Sequence, residues 1–234
     1  MAEPRSSETS GWGMNKIAAR LAASDCQRPA CVLVTTGAMN PAHRGHIAML
    51  DAARTCMEEK GYEVLAGWLS PSHASYVDEK MHALQDISLP APVRVACALA
   101  YTRDSELWDV GTWEIDPARR TWPDFPIVIR NLKEALGRFC DRDILVCYVC
   151  GSDLFVRCGL SRGLPGFGIV VVERGGCPEG GRLSKTVFHA EQPAQEVRNL
   201  SSTLVRKQIR SRRFDLLPAM VCPEVAGILE DWAT

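Results

Sequence analysis

A doubly wound α/β fold, a mostly parallel sheet with helices on both faces, is predicted for this chain of 234 residues. Three observations predict it. Continuous apolar runs rich in β-branched residues, such as ACVLVTT (Ala30 to Thr36), are what strands buried on both faces need. Stretches with apolar residues at helical spacing alternate with those runs, and that alternation means βαβ units with right-handed crossovers. The composition, 46% hydrophobic and 24% charged, suits one substantial core at this length. The domain is expected over 30–234, after an extension at 1–29 that carries one short helix.

Taken in order, the first ten residues are polar, with Pro and Ser, and read as disordered. Met14, Ile17, Ala18, Leu21 and Ala22 then make a short amphipathic helix expected to pack on the edge of the domain. After the strand at Ala30 to Thr36, the stripe Met49, Ala52, Ala53, Cys56 and Met57 marks a helix that Gly61 ends. YEVLAGWLS (Tyr62 to Ser70) reads as a second strand. SPSHASYVDEKMHALQDISLPAP (Ser70 to Pro92) reads as a long polar loop, and loops of that length are usually functional or mobile. PVRVACALAYTRD opens a helix at Pro92, ELWDVGTW is a third strand, and DFPIVIRNLKEALGRFC is another helix. DILVCYVCG and GFGIVVVERGG are two further buried strands, and KTVFHAEQ is a sixth. Helices near 202–212 and 222–233 close the chain.

Several function classes are disfavoured. A formal charge of −1 makes no electrostatic case for nucleic acid or an anionic membrane. No run of 18 apolar residues exists, so no membrane span is expected, and MAEPRSSETSGW lacks the apolar stretch of a secretory signal. The ten cysteines are scattered through apolar stretches rather than set in a short, loop-rich frame, so free thiols and a reducing compartment, cytosol or nucleus, are expected. Cys147 and Cys150 have C-x-x-C spacing, yet on a strand they point to opposite faces, which disfavours a redox pair or half a zinc site. RKQIRSRR reads either as a nuclear signal or as the basic face of a helix. Composition leaves a homo-oligomer open.

The segment GAMNPAHRGH (Gly37 to His46) carries the chemistry. It joins the first core strand to its helix, and in such sheets ligands bind beyond the carboxyl ends of the strands, where strand order reverses. Gly37 lets the backbone turn or approach a ligand, and Asn40-Pro41 is a turn dipeptide. His43 and His46 share one side of the first helical turn, with His46 continuing the buried stripe and so expected to point inward. Basic groups at the positive end of a helix are unfavourable unless a polyanion sits there, where backbone N–H groups, imidazoles and guanidinium act together. Taken alone, the two histidines also read as ordinary core and surface residues. A zinc site lacks the usual helical spacing and a third ligand. Neither a P-loop nor a G-x-G-x-x-G fingerprint is present.

A second anion-type helix start lies far downstream. In NLSSTLVRKQIR, Ser201, Ser202 and Thr203 are N-cap candidates and Arg206 follows one turn later, so capping and anion binding are both served.

The first stretch resembles the G-x-F-[ND]-P-x-H-x-G-H signature of the nucleotidyltransferase superfamily. LSSTLVR is similar to the I-S-S-T-x-x-R motif of the nicotinamide/nicotinate mononucleotide adenylyltransferases. SPSHASY, VGTWE, CGSDLF and the arginine of VVVERGG resemble further segments of that family, especially its eukaryotic branch, so the likeness spans about 30–212. The resemblance implies a Rossmann-like fold and transfer of the adenylyl group of ATP to a pyridine mononucleotide, with Mg²⁺ carried on the phosphates. It implies catalytic roles for His46, His43 and Arg206, and ATP contacts from Gly37, Ala38, Met39, Ser202 and Thr203. It places the mononucleotide against Asn40, Tyr76, Trp113, Glu114, Gly151, Asp153 and Arg174. On residues alone, Trp113 reads equally as a core aromatic, Glu114 as a solvated charge, Asp153 as a helix cap, and Tyr76 and Arg174 as surface side chains. The chain departs from the family in four places. Met39 replaces an aromatic, and His43 stands where the eukaryotic branch often has threonine. Asp78 falls near the position of a phosphate-binding lysine, for which Lys80 is the candidate substitute, and the tryptophan that stacks the pyridine has no counterpart between Leu154 and Gly166. Three alternatives stay open: a nucleotidyltransferase with another phosphorylated acceptor, such as phosphopantetheine; a non-catalytic nucleotide-binding regulator on the same fold; and a redox or zinc protein using the cysteines.

Overall fold

The first apolar run forms strand β1 (Ala30–Gly37), and its side chains divide strictly between two faces. Cys31 and Leu33 enter one hydrophobic layer and Ala30, Val32 and Val34 the other, as the two-residue period of a strand requires. The computed structural model describes residues 11–24, 26–173 and 184–234. The first ten residues and Arg174 lie outside them.

Around β1 are β2 (Glu63–Pro71), β3 (Trp108–Val110), β4 (Ile144–Gly151), β5 (Gly168–Val172) and β6 (Val187–Ala190). They form one sheet in the order β3-β2-β1-β4-β5-β6, and every neighbouring pair is parallel. The order reverses between β1 and β4, so a crevice opens beyond Gly37 and Gly151. The expected α/β class and all six strands are present, although β3 is shorter than the apolar run suggested.

One face of the sheet is covered by α2 (Arg44–Glu59), α4 (Ala91–Thr102), α8 (Ser202–Arg210) and α9 (Pro223–Ala233). Met49, Leu50, Ala53 and Met57 of α2 are buried there, each fully buried aliphatic side chain contributing roughly 1.5–3 kcal/mol. The other face packs on α1 (Asn15–Ala23), α5 (Phe125–Phe139) and α6 (Ser152–Arg157). Ile17 of α1 is completely buried, and Lys16 donates to the carbonyls of Thr102 and Trp108 at the sheet edge. Residues 11–24 therefore complete the second layer. Cys147 and Cys150 lie in opposite layers, and all nine described cysteines are free thiols. Burial pushes the Cys97 and Cys150 thiols up to about 12, which leaves them protonated and unreactive.

One expectation fails. The stretch from Ser70 to Pro92 is not an open loop, because α3 (Ala74–Leu84) occupies most of it. His73 caps its first turn by accepting the Ser75 N–H, Val77 and Met81 are buried one turn apart, and Gln85 ends it in the left-handed conformation at φ 51°. Two buried residues in eleven are too few to show as a periodic stripe. The short α7 (Gln195–Arg198) precedes α8.

Candidate active site

The β1–α2 loop is held from below by its own side chains. Met39 has φ 41°, a left-handed backbone uncommon for a non-glycine residue, while its side chain is buried in the core. Asn40 is completely buried; its amide donates to the Ile87 carbonyl (2.7 Å) and accepts the Leu89 N–H (2.8 Å). Both ends of Asn40 bond the α3–α4 connection, so the side chain shapes the loop. Gly37 differs. Its φ is not left-handed, and a Cβ there would meet no protein atom within 4 Å. Neither packing nor backbone conformation requires glycine at that point, which leaves open space at the end of β1.

His43 and His46 form a reciprocal cap on α2. His43 Nδ1 accepts the Gly45 N–H (3.1 Å), and His46 Nδ1 accepts the His43 N–H (3.1 Å). Each ring therefore carries its proton on Nε2, and each presents an N–H donor on its far side. The rings lie 4.0 Å apart between centroids, tilted by 49°. The conflict between basic residues and a positive helix end is resolved without charging the imidazoles, because they act as caps. His43 is buried and His46 half-buried, so His46 is less deeply set than its place in the apolar stripe suggested. The N-cap ring must fold back over the first turn to reach Gly45. A Cβ on Gly45 would stand 2.9 Å from His43 Cε1, so the glycine between the histidines makes room for that ring.

The downstream motif comes to the same place. Ser201 caps α8 by accepting the Leu204 N–H (3.3 Å), while the Ser202 hydroxyl donates to the Pro41 carbonyl (2.8 Å). Arg206 is buried, and its Nη1 donates to the Asn40 carbonyl (2.9 Å). Its Nε and Nη2 meet Asp86 Oδ2 at 2.9 and 2.7 Å, and Nη2 also reaches Thr203 Oγ1 at 3.2 Å. Two motifs about 160 residues apart are stitched edge to edge, with Ser202 and Arg206 both bonded to the β1–α2 loop.

Asp86, Arg94 and Arg157 were not singled out from sequence. Arg94 on α4 is completely buried and donates to the carbonyls of Ala38 (3.0 Å), Ser72 (2.8 Å) and Leu89 (3.2 Å). Its Nη2 has no hydrogen-bond partner, and burial lowers the guanidinium to about 10 despite the opposing charges of Asp78 and Glu114. A lone arginine on the apolar face of PVRVACALA was the only available signal. Burial lowers Lys80, and so do the cations Arg157 and Arg206, while Asp153 opposes them. Lys80 thus lies close enough to both guanidiniums to feel their charge.

The residues expected to hold a mononucleotide come from several elements. Glu114 is buried beyond the ends of β2 and β3, with Ser70 Oγ donating to its Oε2 at 3.1 Å. Burial raises its carboxyl to about 7 against the hydrogen bonds from Ser72, Ser70 and the His73 backbone and the charge of Arg94. Gly151 and Asp153 stand where β4 passes into α6, at the reversal point; Gly151 is buried and Asp153 exposed. Tyr76 packs against Trp122, with ring centroids 5.3 Å apart. The Trp113 ring is covered on one face by the Arg119 guanidinium at 3.5 Å. Trp113 borders a cavity of about 540 Å³ shared with Arg119, Asn131 and Arg138, and no residue of the β1–α2 loop lines it. Among the described residues no group of three or more His, Cys, Asp or Glu side chains could hold a metal ion, and no helix is long and apolar enough to cross a membrane.

The sequence model of the family described as cytidylyltransferase-like matches residues 34–208. A nicotinamide/nicotinic acid mononucleotide adenylyltransferase of Oryza sativa subsp. japonica is 29% identical over 131 residues, covering 55% of this chain and 49% of the relative. One of the same description from Arabidopsis thaliana is 27% identical over 128 residues, covering 53% and 50%. The match spans about half the length of these curated relatives. Among solved structures, a Plasmodium falciparum nicotinic acid mononucleotide adenylyltransferase complexed with NaAD superposes with a TM-score of 0.60 at 11% identity, covering 87% of this chain and 96% of the other. That likeness is one of fold.

Proposed function

Given that the chain belongs to the cytidylyltransferase-like family, we propose that it transfers the adenylyl group of ATP to a pyridine mononucleotide, giving NAD or its deamidated form and pyrophosphate. The observation that carries the reading is the Ser202–Pro41 and Arg206–Asn40 stitching, which sets the N-termini of α8 and α2 around one crevice. Two helix N-termini, two imidazole Nε2–H donors and a guanidinium suit a triphosphate.

In the proposed reaction, an oxygen of the mononucleotide 5′-phosphate attacks the α-phosphorus. The bond from that phosphorus to the bridging oxygen breaks, and pyrophosphate leaves with the electron pair. The nucleophile is already an anion, so positioning and charge stabilisation suffice and no strong base is needed. His46 Nε2–H serves the α-phosphate and His43 the β/γ end. Arg206, Ser202 and Thr203 serve the terminal phosphates, with backbone contacts from Gly37, Ala38 and Met39. The open space at Gly37 supports that close approach. In this reading Mg²⁺ stays on the phosphates rather than in a protein cage. Glu114, Tyr76, Gly151, Asp153 and Arg174 are assigned to the mononucleotide side. A reducing compartment, cytosol or nucleus, belongs to the same proposal and is supported by the free described thiols.

A second reading, the same transfer to a different phosphorylated acceptor, is favoured by the covered face of Trp113 and the occupied amide of Asn40. Pyrophosphate release with ATP and each candidate acceptor in turn tests both. Release with a pyridine mononucleotide alone supports the first reading, release with another acceptor alone the second, and no release with any acceptor overturns both.

A further inference from the structure

Between α3 and α4 the chain makes a short strap, and the side chain of its one charged residue, Asp86, is nearly as deeply set as that of the arginine it meets. The Asp86 side chain is 6% exposed and that of Arg206 3%. Asp86 Oδ2 takes Nε and Nη2 of Arg206 at 2.9 and 2.7 Å. Its Oδ1 takes Arg210 Nη1 at 3.1 Å and its neighbouring Ile87 N–H at 2.8 Å. Burial would raise the Asp86 carboxyl, but the Arg206 hydrogen bond, the Ile87 N–H and the two guanidinium charges hold it below the usual carboxylate range. Three residues farther on, the strap is bonded to Asn40 through the Leu89 N–H.

We propose that Asp86 is a positioning residue for ATP: by neutralising and fixing Arg206 against the Asn40 carbonyl, it sets the spacing of the two helix N-termini that grip the triphosphate. The inference rests on the ATP site of the proposed function. A buried guanidinium without a full countercharge is strongly unfavourable. The Thr203 hydroxyl and the Asn40 carbonyl supply only partial negative charge. Without the Asp86 carboxylate the guanidinium turns toward water, and α8 keeps only the Ser202–Pro41 bond to the β1–α2 loop. The Glu114 side, fixed by Ser70, Ser72 and Arg94, does not depend on that bond.

The sign of the effect separates positioning from simple electrostatics. Removing an anion beside a polyanion site strengthens ATP binding if charge repulsion is all that matters. Loss of positioning weakens it. Calorimetric titration of the full chain with Mg-ATP, and separately with each pyridine mononucleotide, reads the difference. Asp86→Asn is expected to raise the ATP Kd at least tenfold and to leave the mononucleotide Kd within twofold. Unchanged or tighter ATP binding overturns the inference, and so does an equal loss of both ligands, the mark of general loosening. In an Arg206→Gln background, adding Asp86→Asn is expected to change the ATP Kd by less than twofold; a further tenfold loss refutes action through Arg206. Should Asp86→Asn fail to fold by circular dichroism, Asp86→Glu decides, because it keeps the charge but moves it by one methylene. It is expected to weaken ATP at least threefold and to spare the mononucleotide; wild-type ATP affinity overturns the inference. An unsubstituted protein that binds no ATP overturns inference and function together. ATP binding without pyrophosphate release for any acceptor overturns the function alone, and Asp86 is then judged on ATP affinity in the single and double variants.

Discussion

The imidazole of His43 lies directly over Gly45, accepting its N–H at 3.1 Å while Cε1 stands 2.9 Å from where a Cβ would be. The glycine of His-Arg-Gly-His is therefore a space requirement of the ring before it. Alanine in a helix usually outperforms glycine by roughly 0.5–1 kcal/mol. Gly45→Ala is expected to reverse that sign, lowering the melting temperature and cutting pyrophosphate release at least tenfold. A variant with a raised melting temperature and normal turnover would show that the ring is free to move aside.

His46 combines a cap with a donor. Its Nδ1 holds the His43 N–H, and its Nε2–H is assigned to the α-phosphate. His46→Ala is expected to lower adenylyl transfer at least tenfold, each factor of ten being about 1.4 kcal/mol of transition-state stabilisation. Steady-state kinetics on a variant whose far-ultraviolet circular dichroism is normal would check this. Near-normal turnover removes His46 from the mechanism.

Glu114 makes stability depend on pH with a definite sign. Its carboxyl is raised to about 7 in the folded protein, from 4.5. The folded state therefore holds the proton more tightly. Its contribution is complete below the unfolded value, declines between 4.5 and 7, and is lost above the folded value. Glu114→Gln cannot ionise, so wild type is expected to lose stability relative to the variant by up to about 1.4 kcal/mol per pH unit as pH rises through that window. Urea unfolding of both proteins at pH 5.5, about 6.5 and about 7.5 provides the comparison. Parallel curves would show that Glu114 is already ionised throughout.

Arg94 ties three loop carbonyls from a fully buried position. Arg94→Ala is expected to cost about 2–4 kcal/mol through the cavity and the orphaned carbonyls. Glu114 then loses an opposing charge, so its carboxyl should rise above its present value of about 7. Chemical denaturation measures the first effect, and the pH dependence of stability in the same variant measures the second. A loss under about 0.5 kcal/mol would mean that water replaces the guanidinium without strain.

Much was legible in the chain itself. Strand and helix periods predicted the α/β class and all six strands, because burial on both faces of a parallel sheet demands the unbroken runs at Ala30 to Thr36 and Asp143 to Gly151. The opposite facing of Cys147 and Cys150 followed from strand geometry alone. The two anion-type helix starts were also local features, visible at Gly37 to His46 and at Ser201 to Arg206. Tertiary structure decided what could not be local. Helix α3 escaped notice because Val77 and Met81 are its only buried side chains. Asp86 and Arg206 lie 120 positions apart, so nothing nearby marked either as the partner of the other. Arg94 looked like one charge on an apolar helix until three separate carbonyls converged on it, and Trp113 faced Arg119 rather than the phosphate loop. Periodicity reports which face of an element is buried. Which charged groups share that burial depends on how distant segments meet, and the low dielectric that makes such pairs obligatory exists only once the chain has folded.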